Sequence, residues 1–252
     1  MNSNKLKDIF TELNEWTEKL KLISRLELRN KIKKLLEKYN INPNEMIEDS
    51  GIGRPISMVQ YIFNSITTTP ISIDSPLLGE KLNYENVYFY YSHTQHDIED
   101  LIGDSFQRYS SFVLKNMKKK IKKIYQNANY KLEETDNTKF KALLNGKTEI
   151  IILYPTASLF YKDLKAGKQF NHNTIIIPQG ATPAPYYKIY MEYSDELEDN
   201  HNVVLLINFE ENYITPFIGI PEDKKIVHQL IPDKNIIRAK RAWQRLSSFN
   251  FE

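Results

Sequence analysis

The sequence predicts an α+β fold: a helical N-terminal half, including one long helix near residues 94–125, packed on a mixed, largely antiparallel sheet from the C-terminal half. Three observations predict it. Apolar residues recur every three or four positions across residues 5–39 and again across 98–124, the period of helices with one buried stripe. Beyond residue 127 the pattern changes to short runs of β-branched residues, as at 148–154 and 173–178. The 252 residues carry no cysteine, so a packed core rather than disulfides or thiolate metal sites must hold the fold. One domain over 1–252 is expected, with helix-rich 1–127 and strand-rich 128–252 as the alternative division.

The first stripe runs through Leu6, Ile9, Leu13, Trp16, Leu20 and Ile23. Its phase slips at Ser24-Arg-Leu-Glu27, a capping-box pattern, and resumes at Leu28, Ile32, Leu35 and Tyr39. Either two helices meet there or one helix carries a stutter. Asn42-Pro43 ends the pattern, because proline disfavours helical geometry in the residue before it. Residues 44–86 carry weaker signals. Gly51-Ile-Gly53-Arg54-Pro55 breaks regular structure, and residues 58–66 fit either a short helix or a buried strand. Residues 87–91 read as a strand from their aromatic and β-branched content.

Ser92-His-Thr-Gln95 repeats the capping-box pattern and sets the start of the long helix near His93 or Thr94. Its stripe is Ile98, Ile102, Phe106, Tyr109, Val113, Met117, Ile121 and Ile124. A helix at 156–166, stopped by Gly167, separates the strands at 148–154 and 173–178, which makes a parallel crossover. Residues 186–193 and 202–209 are expected to form an antiparallel strand pair joined by a polar loop. A strand at 213–220 and a closing helix at 233–246 complete the chain.

Composition bounds the function. The apolar run at 203–207 is far short of the roughly 20 residues a spanning helix needs, so no membrane partner is expected. The N-terminus leads into an amphipathic segment rather than an apolar signal region, which favours a cytoplasmic location over secretion. Net charge is +2, so no global field draws the protein to polyanions. Seven of the 34 basic residues are arginine, and abundant Lys, Asn, Ile and Tyr point to an AT-rich genome, of a bacterium or one of its viruses.

Local charge is more informative. Lys115, Lys118, Lys119, Lys120, Lys122 and Lys123 crowd one stretch of the long helix. Like charges at helical spacing repel by a few tenths of a kcal/mol per pair, and bound phosphates would relieve that. A solvated helix face in a lysine-rich chain accounts for the same residues. Arg238, Arg241 and Arg245 surround Trp243 on the closing helix and add a second basic patch. Arginines beside an aromatic suit phosphate binding or stacking, although Trp243 is better read as core.

Candidate chemistry is thinner. His93, His96 and Asp97 offer three potential metal ligands at generic spacing. Asp195, Glu196, Glu198 and Asp199 read as an exposed acidic loop, since no calcium-loop spacing is present. A metal-dependent nuclease would need converging acids, for which Glu149, Glu192, Glu210 and the Glu222-Asp-Lys224 turn are the candidates. No phosphate-cradling glycine loop or nucleophile elbow occurs.

The expectation is therefore a nucleic-acid-associated protein of bacterial, phage or mobile-element origin. Its phosphate-binding residues would be Lys115, Lys118, Lys119, Lys122, Lys123, Arg238, Arg241 and Arg245. No cofactor is evident, and a divalent metal is implied only if the protein is a nuclease. The competing expectation is a non-catalytic structural or assembly protein, such as a virion component, with protein partners or self-association.

Overall fold

The computed structural model describes residues 3–49, 54–68, 78–92 and 94–248. The chain is α+β and divides into two compact units, 1–109 and 110–252.

In the first unit, helix α1 (Ser3–Leu20) leads through a short strand β1 (Ile23–Ser24) into α2 (Arg25–Lys38). The phase slip in the sequence is therefore a junction between two helices. The capping box is complete there: the Ser24 hydroxyl accepts from the Glu27 amide, and the Glu27 carboxylate accepts from the Ser24 amide at 3.1 Å. Arg108 Nε donates to the other carboxylate oxygen of Glu27 at 2.8 Å, which leaves this buried acid paired. A hairpin of β2 (Met46–Asp49) and β3 (Arg54–Ser57) precedes α3 (Met58–Thr67), which resolves the helix-or-strand ambiguity at 58–66. Seven of the ten residues of α3 are buried. Strands β4 (Glu80–Tyr84) and β5 (Val87–Tyr91) pair antiparallel, and β1 adds to β5. The core of this unit joins Ile9, Phe10, Leu13, Leu28, Ile32 and Ile62.

Helix α4 (Ile98–Asn127) is the expected long helix, unbroken over 30 residues. It starts later than the second capping-box pattern implies. The Ser92 carbonyl instead accepts from the Gln95 amide in an isolated turn, and Glu99 and Asp100 supply the negative charge that a helix start favours. The side chain of His93 lies outside the described residues.

The second unit carries a six-stranded mixed sheet in the order β11-β10-β9-β8-β7-β6. Strands β6 (Lys131–Asp136), β7 (Lys139–Leu144) and β8 (Lys147–Leu153) form an antiparallel meander. Helix α5 (Ala157–Lys165) then crosses to β9 (Asn173–Pro178), which pairs parallel to β8. Helix α6 (Ala184–Asp199) crosses to β10 (Val203–Asn208), parallel to β9. Strand β11 (Tyr213–Ile218) returns antiparallel, and α7 (Lys224–Val227) and α8 (Lys234–Ser248) follow.

One expectation is overturned here. Residues 186–193 are the middle of α6, so β10 has no antiparallel partner from that segment. The buried residues of α6 are Tyr186, Ile189, Tyr190 and Leu197, a helical spacing that the β-preferring tyrosines concealed. The acids Asp195, Glu196, Glu198 and Asp199 consequently form the last turns of a helix rather than a loop. The β6–β7 hairpin has no distinct signal in the sequence, because β6 is mostly charged and exposed and carries no apolar alternation.

Strand alternation divides the residues of this sheet between two faces. Ile152, Ile175, Ile177, Val204, Leu206 and Phe217 pack with α5, α6 and α8. Glu149, Ile151, Thr174 and Ile176 point the other way, where Tyr125 of α4 hydrogen-bonds Glu149. The lysine-bearing part of α4 and the arginine-bearing α8 thus sit on opposite faces.

Candidate functional site

The lysine face belongs to the part of α4 inside the second unit. Val113, Met117, Ile121 and Tyr125 are buried at four-residue intervals and fix which side of the helix meets the protein. Lys115, Lys119, Lys122 and Lys123 are exposed, and Lys118 is half-buried. A groove of about 510 Å³ is lined by Lys115, Lys118, Lys119 and Lys122, with Asn137 of the β6–β7 turn on its far side. Glu134 of β6 accepts from Lys118 at 2.5 Å and from Lys122 at 3.5 Å. The hydrogen bond from Lys118 holds the Glu134 carboxyl below its ordinary range. Among the described residues, Lys115, Lys119 and Lys123 have no acidic partner.

Lys120 departs from the rest of the run. Its side chain turns inward, its ammonium is out of solvent with no hydrogen-bond partner, and burial pulls its pKa down to about 8. It takes no place on the face.

The arginines Arg238, Arg241 and Arg245 are exposed on α8, across the sheet from the lysines. The structure does not join them to the lysine face. Trp243 packs edge-on to Tyr187 at 5.7 Å and against Tyr190 at 5.9 Å, which makes it part of the core. Lys240 lies over the Tyr190 ring at 4.9 Å and donates to the Phe217 carbonyl at 2.7 Å.

The candidate acids scatter, with one exception. Glu192 accepts the Tyr161 hydroxyl on α6, and Glu210 sits in the turn after β10. Glu149, Glu222 and Asp223, by contrast, line one cleft of about 340 Å³ at the amino ends of β8, β9 and β10. Glu149 is largely buried, and its Oε1 accepts the hydroxyls of Tyr125, at 2.8 Å, and of Thr174. Burial raises its pKa above the ordinary value despite those donors, and the charges of Asp223 and Glu222 add to the rise. Tyr130 on the same wall is pushed up to about 12, chiefly by burial and then by Asp223. His172 and His201 stack at 4.9 Å at the rim. Among the described residues, no three His, Asp or Glu side chains converge closely enough to hold a metal ion.

A carboxyl whose pKa is raised on folding binds more protons folded than unfolded, so stability falls as pH climbs from the ordinary value through the raised one. Glu149→Gln keeps an acceptor for both hydroxyls and removes the charge. The variant should melt above the wild type at pH 8, with the gap closing toward pH 4. A gap independent of pH would show that charge is not the cause.

Open α/β sheets usually hold ligands at the carboxyl ends of their parallel strands. Here those ends carry a polar network instead. Asn208 donates to Gln179 at 2.9 Å, and Tyr213 donates to Asp233 at 2.6 Å.

Residues 104–231 match the family described as Domain of unknown function (DUF6834), C-terminal domain. The match spans half the chain, and the protein belongs to that family. It takes in the lysine face, all six strands of the large sheet and the acid-lined cleft, and stops short of α8 and its arginines. No curated protein matches the chain. Among the described residues, no helix is long and apolar enough to cross a membrane.

Proposed function

We propose that the protein binds the phosphate backbone of nucleic acid through the lysine face of α4. The observation that carries this reading is the groove itself: four lysines line it, and one carboxylate, Glu134, offsets them. Lysine-only composition favours backbone contact over base reading, because arginine is the usual bidentate reader of guanine. A bacterial, phage or mobile-element setting, in the cytoplasm or a virion, goes with this reading. It is confined to binding, since the acids that hydrolysis would gather lie apart or in the separate cleft.

Replacing Lys115, Lys119, Lys122 and Lys123 by glutamine removes charge while keeping length and helix propensity. Fluorescence anisotropy against random duplex and single strands should show weaker binding. The slope of log K against log salt should shrink by roughly two to four, at about 0.9 per lost duplex contact. Arg238→Gln with Arg241→Gln, on the opposite face, should leave that slope unchanged. Equal affinity and slope in a folded lysine variant would remove the proposal.

A further inference from the structure

The lysine groove has a charge of the opposite sign at its border. Lys118 donates to Oε1 of Glu134 at 2.5 Å, and Lys122 donates to Oε2 of the same carboxylate at 3.5 Å. Each ammonium thus takes a separate oxygen of one anion, as two ammonium groups would take the two non-bridging oxygens of a phosphodiester. Lys118 and Lys122 line the groove, whereas Glu134 lies outside its lining.

The sheet sets Glu134 in this place. Glu134 pairs with Phe140 of β7, and Phe140 with Ile151 of β8, so all three share the sheet face on which α4 lies. The register of β6 against β7 shifts between Glu134 and Asp136, and an irregularity of that kind re-aims the side chains beside it. Glu133, one residue earlier, alternates to the other face and pairs with Lys131 at 2.8 Å. The lysines are held as well. The Lys122 ammonium lies over the Phe140 ring at 5.6 Å, and only 19% of the Lys118 side chain is exposed. Both are ordered before a ligand arrives, which reduces the entropy that binding removes. The Glu134 side chain is 39% exposed on an outermost strand, so on leaving the lysines it returns to water.

We propose that Glu134 is an internal competitor for phosphate: a phosphodiester entering the groove draws Lys118 and Lys122 away from its carboxylate. This rests on the reading of the lysine face as a backbone-binding site, and makes Glu134 the residue that sets its affinity and salt dependence. The exchange has a charge consequence. In the wild type the freed carboxylate regains a cation from solution, which cancels one of the counterions that the nucleic acid gives up. Lys115 and Lys119 have no acidic partner among the described residues, so the competitor weakens the groove without closing it.

Anisotropy titrations of a random duplex with the full chain, at several salt concentrations, test this on the wild type, Glu134→Gln and Glu133→Gln. Glu134→Gln removes the charge from a partly exposed strand position and keeps the side chain's shape. It should bind about threefold tighter or more, the scale of two weak surface ion pairs. Its slope of log K against log salt should steepen by about 0.9, one counterion. Glu133→Gln removes the same charge one residue away and should change neither quantity. Lys118→Gln should cost more affinity beside Glu134→Gln than in the wild type, because only there is the ammonium free before binding. Equal tightening by the two glutamate variants would mean that net charge alone acts, and overturns the proposal. An unchanged slope in Glu134→Gln, or the same cost of Lys118→Gln in both backgrounds, overturns it too. If the lysine replacements weaken binding while Glu134→Gln does not tighten it, the competitor falls and the phosphate reading stands. If neither the wild type nor Glu134→Gln binds the duplex, both fall.

Discussion

Ile151→Asp should abolish cooperative folding of the second unit. Ile151 has no exposed surface and lies in β8, paired antiparallel to Phe140 on one side and parallel to Thr174 on the other. A strand buried between two neighbours leaves no route for a carboxylate to reach water, and the nearest acid along the same face is Glu149, which would repel it. An unpaired buried charge costs several kcal/mol, against a total stability of roughly 5–15 kcal/mol for a typical domain. Denaturant melts followed by near-UV circular dichroism would measure the change. Ile151→Val, as a control for shape, should cost only about 0.5–1.5 kcal/mol. A loss below about 1 kcal/mol for the aspartate would mean that β8 is not a central strand.

Phe160→Ala should be the next most damaging change, costing about 3–5 kcal/mol. The ring of Phe160 is fully buried at the centre of an aromatic cluster, 5.1 Å from Tyr154 and 5.5 Å from Phe170. Tyr154 is itself held by its hydroxyl, which donates to Asp163 at 2.5 Å, so it cannot swing inward to fill the space without breaking that bond. Because the surroundings collapse only in part, the cavity term adds to the lost transfer energy. Phe160→Leu, which retains most of the volume, should recover more than half of the loss. Equal losses for the two variants would show that the site repacks freely.

How far the sequence speaks depends on the range of the interaction. Ser24 and Glu27 are three residues apart, and the capping box they form was legible because its chemistry is local. The stripe of α4 and the stop at Gly167, whose φ is +79°, were legible for the same reason. The segment at 186–193 resembles a strand in sequence because β-preferring tyrosines fill the buried face of a helix, where tertiary packing overrides propensity. The cleft was out of reach altogether. The sequence shows Glu149 as an acid and Glu222-Asp-Lys224 as a turn, but nothing in the spacing joins them to Tyr125, Thr174 or His201. Only the register of β8 beside β9, and of β9 beside β10, brings those residues together. Lys120 makes the same point within one helix: its neighbours in the run look alike, and packing alone decides which ammonium faces inward.

The outermost strand, β6, bears on the protein's behaviour in concentrated solution. A free strand edge is a template on which a second copy can add its own strand. Lys131, Glu133, Glu134 and Asp136 place charge of both signs along β6, and a flat apolar partner would have to strip water from each of them. At the other border of the sheet, the Ile231 amide donates to the Ile214 carbonyl of β11 at 2.8 Å, so the returning chain occupies part of that edge. Both borders are thereby made poor seeds for fibrils, which leaves a sheet with an isoleucine-rich interior able to persist without recruiting its own kind.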